Sequence, residues 1–130
     1  MNATQRIGLR SELAFQTRCL DRGLEFAVPC GVERYDLVLR WHDVWERVQI
    51  KTAMLHPGYL EFNTNSNAAG VGRPVGYEGC ADMFGIYSPH LDRCFLLPVA
   101  DAPRGSARLR LAPTVNQQSI RVRWAEDFAF

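Results

Sequence analysis

The period of apolar positions changes along the chain, and each change marks an element. Residues 8–22, GLRSELAFQTRCLDR, space Leu9, Leu13 and Leu20 at helical intervals with Ala14 and Phe15 between them. That predicts a helix with these residues as its apolar stripe, ended by Gly23. Residues 32–40 (VERYDLVLR) and 45–52 (WERVQIKT) are rich in strand formers, and His42-Asp43 between them suits a turn, so the pair predicts a β-hairpin. YLEF at 59–62 predicts a short third strand. Residues 63–79, polar and rich in Asn and Gly, predict a long loop. Residues 82–88 and 93–99 predict two more strands joined through Pro89 to Asp92, and ARLRLAP at 107–113 a further one. The tail SIRVRWAEDFAF alternates and then can turn helical. With no repeat, linker or low-complexity tract, residues 1–130 read as one domain. Its expected class is α/β (α+β), an N-terminal helix packed on a mixed, mainly antiparallel sheet.

Composition narrows the class without naming a function. Of 130 residues, 47% are hydrophobic and 22% charged, ordinary proportions for a soluble globular protein. No apolar run is long enough for a membrane span, and the polar start with early Arg and Glu does not read as a signal peptide. The expected location is cytoplasmic. Cys19, Cys30, Cys80 and Cys94 show no CxxC spacing and do not cluster with His42, His56 or His90 in sequence, which argues against zinc and for free thiols. The net charge of +1 gives no pointer to nucleic acid. The kind of cation is more informative: fourteen arginines accompany a single lysine, Lys51. Lysine is a compact ammonium that can meet a water or a phosphate oxygen as a point charge, unlike the planar fork of arginine.

Lys51 stands in a polar constellation. In VQIKT, alternation sends Val48 and Ile50 to one face and Gln49 and Lys51 to the other. Asp36 lies among apolar neighbours on the partner strand, where a carboxylate is costly unless it is paired or binds a metal. Antiparallel pairing through the His42-Asp43 turn can bring Asp36 beside Gln49 and Lys51, and Glu12 can reach the same place from the helix. The plainer alternative is an Asp36–Lys51 salt bridge steadied by Gln49.

The order Glu12, Tyr35-Asp36, Gln49-Ile50-Lys51 resembles the core of the PD-(D/E)XK nucleases, with its restriction-endonuclease-like fold. More narrowly, the layout over most of the chain is similar to the small group I intron-associated homing endonucleases of that class. Two positions depart from the motif: Tyr35 stands where Pro is common, and Gln49 replaces an acid. The amide oxygen of Gln49 can still ligate a metal but brings no charge, a variant that the intron-associated group also uses. The resemblance implies site-specific hydrolysis of double-stranded DNA with Mg²⁺, for which Mn²⁺ can substitute. It implies Asp36 as main ligand, helped by the Gln49 oxygen and the Ile50 carbonyl. Glu12 would act through water or on a second ion, and Lys51 would orient the attacking water and stabilise charge at the scissile phosphate.

Asn63, Asn65, Asn67 and Arg73 of the polar loop are suited to base edges, while Arg104, Arg108 and Arg110 can neutralise phosphates. A small domain reads few base pairs, so a homodimer or homotetramer is expected by analogy with the family, nucleoid-associated when bound to DNA. Asp82 is either a supporting acid or a strand-start residue. Trp41, Trp45 and Trp124 are expected in the core or an interface, and His56 in a structural turn. The rival functions are a junction, repair or restriction nuclease on the same fold, a non-catalytic DNA-binding module, and an immunity or scaffold protein.

Overall fold

In a computed structural model of the chain, residues 1–67, 74–114, 116 and 122–130 are described. Helix α1 spans Ala3–Asp21, starting earlier than the apolar pattern predicts. The reason is a capping box: Asn2 accepts from the Gln5 N–H at 2.8 Å, and the Gln5 side chain accepts from the Asn2 N–H at 2.9 Å. The chain turns away at Gly23, whose φ of 67° favours glycine.

The buried face of α1 is not the leucine stripe. Ser11, Phe15 and Cys19 are buried, whereas Leu9, Leu13 and Leu20 are 42%, 55% and 67% exposed. The sheet beneath explains the choice. Phe15 lies over Gly85, where a Cβ would stand 2.6 Å from the ring. The Ser11 hydroxyl is satisfied by Thr52 at 2.5 Å. Turning the leucines inward would forfeit that fit and expose Phe15.

The strands are β1 (Phe26–Ala27), β2 (Leu37–Trp41), β3 (Val44–Thr52), β4 (Met54–His56), β5 (Tyr59–Asn63), β6 (Ser66–Asn67), β7 (Pro74–Val75), β8 (Met83–Ser88), β9 (Arg93–Pro98) and β10 (Ser106–Arg110). A five-stranded sheet runs in the order β1-β2-β3-β8-β9, a three-stranded sheet in the order β10-β5-β4, and β6 pairs with β7 as a separate ribbon. The predicted hairpin is β2–β3, turning at His42 and Asp43 with φ of 52° and 65°, the left-handed pair of a two-residue turn. β3 and β8 are parallel, so everything from β4 to β7 belongs to the crossover between them. The sheet is mixed, as expected.

Helix α1 covers one face of the five-stranded sheet through Phe15, Cys19, Leu37, Leu39, Val48 and Ile50. The other face packs on the small sheet through Phe84, Ile86, Phe95, Leu97, Leu60, Phe62 and Leu109. The C-terminal Phe130 closes the helix side, edge-on to Phe15 at 5.3 Å and to Trp41 at 5.8 Å. Trp45, expected in the core or an interface, is 51% exposed on β3 beside the turn. The predicted loop 63–79 contains the β6–β7 ribbon, and the helical expectation for the tail reduces to a single 3-10 turn, Ala125–Asp127. No helix among the described residues is long and apolar enough to cross a membrane.

Candidate active site

The site arises where two paired strands part. The β2–β3 ladder ends at Leu37 opposite Val48, while β3 continues to Thr52 beside β8. Beyond Val48, the β2 side of β3 is an open edge, which Asp36 fills. Its backbone N–H donates to the Val48 carbonyl at 2.8 Å, and its Oδ2 accepts from the Ile50 N–H at 2.7 Å. In a strand the N–H and C=O of one residue point to the same side. The Ile50 carbonyl therefore also faces this open edge, where the Gln49 amide Nε2 approaches it at 3.4 Å.

Val48 and Ile50 are buried against α1, and Gln49 and Lys51 lie on the opposite face, as alternation requires. Glu12 arrives from α1, one turn before Phe15, and the Ser11–Thr52 bond ties that turn to the end of β3.

The electrostatics single out the two acids. Burial pushes the Asp36 carboxyl above its ordinary value, against the opposing pull of the Ile50 N–H and the Lys51 ammonium. Burial also raises Glu12, and the negative charge of Asp36 raises it further. Neither forms an ion pair with a basic side chain among the described residues. Lys51 therefore acts on Asp36 through space, without the salt-bridge contact of the plainer alternative. The Lys51 Nζ instead donates to the Asn65 carbonyl at 3.1 Å and to the Tyr77 hydroxyl at 3.2 Å, and sits 4.7 Å from the centre of the Tyr77 ring.

Two neighbouring, half-buried carboxylates with no basic side chain in ion-pair contact among the described residues are the situation a bound cation relieves. The donors are all oxygen: Asp36, Glu12, the Ile50 carbonyl and the Gln49 amide turned end for end. That turn would place two oxygens 3.4 Å apart, close to the roughly 3 Å between adjacent ligands of an octahedral hard cation. Among the described residues no group of three or more His, Cys, Asp or Glu could hold a metal, so a site here draws on the neutral oxygens of Gln49 and Ile50 beside the two acids. Thiolate chemistry is remote at Cys19 and Cys94, where burial pushes the thiols up to about 12 and about 11.

The other sequence candidates divide. Asn65 lends its carbonyl to Lys51, while its N–H is held by the Asn63 side chain at 2.8 Å. Arg73 lies outside the described residues, as does the side chain of Asn67. Arg104 is an exposed side chain 3.7 Å from Glu78. Arg108 and Arg110 share the outer face of β10, over Tyr59 at 4.6 Å and 5.3 Å, and Arg108 also pairs with Glu61 at 2.9 Å. No hydrogen bond or ion pair among the described residues joins these arginines to the Asp36 site. Asp82 proves to be a strand-start brace: it takes the Arg47 guanidinium at 2.9 Å and 3.1 Å and the Arg47 N–H at 2.8 Å. That bond holds its carboxyl below the ordinary range. His56 is structural, stacked on Tyr59 at 4.9 Å.

Sequence reasoning missed Tyr77 and Arg34. An aromatic residue in an otherwise Asn- and Gly-rich stretch is a signal for the first; Arg34 carries none.

The comparisons with known proteins bear on the fold and the family. No curated protein sequence matches the chain. A bacterial homing endonuclease of known structure, I-Ssp6803I, shares the fold with a TM-score of 0.68 at 19% identity, over 99% of this chain and 88% of that one. The sequence model of the PD-(D/E)XK endonucleases matches residues 2–130, and on that match the chain belongs to the PD-(D/E)XK endonuclease family.

Proposed function

We propose that this chain is a divalent-metal-dependent, site-specific endonuclease that hydrolyses double-stranded DNA, of the homing type, with residues 1–130 as one catalytic domain. The observation that carries the reading is the pair Asp36 and Glu12: both half-buried, Glu12 raised by the charge of Asp36, neither in ion-pair contact with a basic side chain among the described residues, and Asp36 bonded at the edge that the Ile50 carbonyl faces. Asp36 would be the principal holder of the ion, with the Gln49 oxygen and the Ile50 carbonyl helping it, and Glu12 would act through water or on a second ion. Mg²⁺ suits this oxygen donor set, and Mn²⁺ can replace it. Such an ion supplies Lewis-acid polarisation of a phosphate oxygen.

The chain's own groups do the rest. Asp36 is fixed by the Ile50 N–H, so its free oxygen keeps one direction. Lys51 is the group that orients the attacking water and meets the charge growing on the scissile phosphate. Arg104 and Arg108 are assigned to phosphates outside the cut, and Asn65, Asn67 and Arg73 to the bases next to it.

A homodimer or homotetramer acting on nucleoid DNA in the cytoplasm completes the proposal. The exposed Leu9, Leu13 and Leu20 on one face of α1 offer an apolar surface for contact between copies.

The test is cleavage of a randomised duplex library with Mg²⁺ by the wild type and by Asp36→Ala. Cuts at one class of site by the wild type alone support the proposal. Folded wild-type protein that cuts nothing with Mg²⁺ or Mn²⁺ refutes it.

A further inference from the structure

Two cations share the Tyr77 ring. The Lys51 Nζ and the Arg34 guanidinium carbon each lie 4.7 Å from its centre. The ring is 4% exposed and is set edge-on against Phe84, the register partner of Gln49, at 5.7 Å. It is therefore anchored to the strands that carry the site. Arg34 spreads its fork over three acceptors: Cys80 Sγ at 3.3 Å, Ser66 Oγ at 3.2 Å and the Gly76 carbonyl at 2.8 Å. Neither Arg34 nor Lys51 pairs with a carboxylate among the described residues, which include every Asp and Glu of the chain.

The acceptors are not scattered. Ser66 opens β6 and pairs with Val75 of β7, and Gly76 and Tyr77 follow directly after it. Asn65, whose carbonyl takes Lys51, immediately precedes β6. One guanidinium thus fastens both legs of the ribbon, and both hydrogen-bond acceptors of the Lys51 ammonium belong to residues flanking those legs. A shift of either leg moves an acceptor of Lys51.

We infer that Arg34 and Tyr77 are positioning residues that couple the β6–β7 ribbon to Lys51, so that DNA lying against the ribbon sets where the ammonium stands. A two-stranded ribbon has the width of the major groove, and the two cations at its base, neither in ion-pair contact with a carboxylate among the described residues, suit a phosphate backbone beside it. The inference rests on the nuclease reading for its partner, but the clasp itself rests on the geometry alone. Tyr77 acts through its hydroxyl and ring on the position of Lys51. Arg34 acts through its fork, which an ammonium cannot imitate across three acceptors.

The test uses the whole protein in two arms. In the first, amide hydrogen exchange is followed over residues 64–77 without DNA. Arg34→Met and Arg34→Lys should both speed exchange there with the rest of the protein unchanged, and wild-type protection in both variants overturns the clasp whether or not the protein cuts DNA. In the second arm, affinity for the cleaved site and single-turnover cleavage at saturating protein are measured for these variants and for Tyr77→Phe. Tyr77→Phe should bind within about twofold of wild type and cut about tenfold more slowly, the loss expected for one hydrogen bond to a charged group. Arg34→Lys should be as slow as Arg34→Met. A wild-type rate in Arg34→Lys overturns the coupling, because charge alone would then suffice. Weaker binding with an unchanged saturated rate also overturns it, since Arg34 would then be only a phosphate contact. Failure of the wild type to cut any DNA refutes the nuclease reading and with it the coupling, and exchange still decides the clasp.

Discussion

Replacing Gly85 by Ala tests the contact that places α1, and with it Glu12, over the sheet. The added Cβ would stand 2.6 Å and 2.7 Å from two Phe15 ring carbons and 2.9 Å from Val48 Cγ1. Ordinary carbon contacts begin near 3.5 Å, so the ring edge must retreat by about 0.9 Å. Phe15 and Val48 are fully buried and the ring meets Phe130 edge-on, so free space is lacking. Overpacking of this kind costs about 1–3 kcal/mol. Gly85 does not have a positive φ, so alanine also stiffens the unfolded chain, worth about 0.4–1 kcal/mol in the opposite sense. The steric effect wins, with a net loss of about 1–2 kcal/mol. In a chain of this size each kcal/mol lowers Tm by roughly 3–5 °C. Thermal and urea unfolding of Gly85→Ala read the loss, and adding Phe15→Leu, which removes the ring edge, should recover part of it. Glu12 sits one turn from Phe15, so single-turnover cleavage by Gly85→Ala should also fall, since misplacement by 1 Å can cost about 10²-fold. A wild-type Tm in the single variant, or a double variant no better than the sum of its parts, would refute the packing argument.

Three further outcomes are expected. Because burial raises the Asp36 carboxyl in the fold, its contribution to stability is fully present below the unfolded value and is lost as pH rises through the raised one. Asp36→Asn keeps an acceptor for the Ile50 N–H, so it should raise the neutral-pH Tm of the metal-free protein while abolishing the rise that Mg²⁺ gives the wild type; a lowered Tm with the Mg²⁺ effect intact contradicts this. Lys51→Ala should lower saturated single-turnover cleavage about 10²–10³-fold with the folded spectrum retained, the loss typical of a charge-stabilising group, and parallel loss of folding would count against its proposed role. Leu13→Glu should dissociate the proposed assembly in sedimentation equilibrium; an unchanged mass would exclude the α1 face as the contact between copies.

The strands and the Asp36 register were legible because they rest on alternation, which a sequence carries directly. Val48 and Ile50 turned in and Gln49 and Lys51 turned out, as VQIKT implies. On the helix, Phe15 of the apolar stripe is buried and its leucines are not, for a definite reason. Leu9, Leu13 and Leu20 make the stronger apolar stripe, but the contact is decided by Gly85, a long-range partner that periodicity along α1 cannot reveal. The parallel pairing of β3 with β8 was hidden in the same way, because strand formers do not state direction. Within the site, spacing brought out Asp36, Gln49 and Lys51 but not Tyr77 or Arg34, whose parts depend on where a loop returns. Asp82 left two readings open until the Arg47 bonds chose between them.

The central claim is that Asp36, the Ile50 carbonyl and their neighbours hold a divalent ion. Diffraction from crystals grown with Mn²⁺, recorded at the manganese absorption edge, tests it most directly. The account predicts an anomalous peak in contact with an Asp36 oxygen and the Ile50 carbonyl, absent in Asp36→Asn. An empty site at a Mn²⁺ concentration that supports cleavage, or an ion held elsewhere on the molecule, would contradict it.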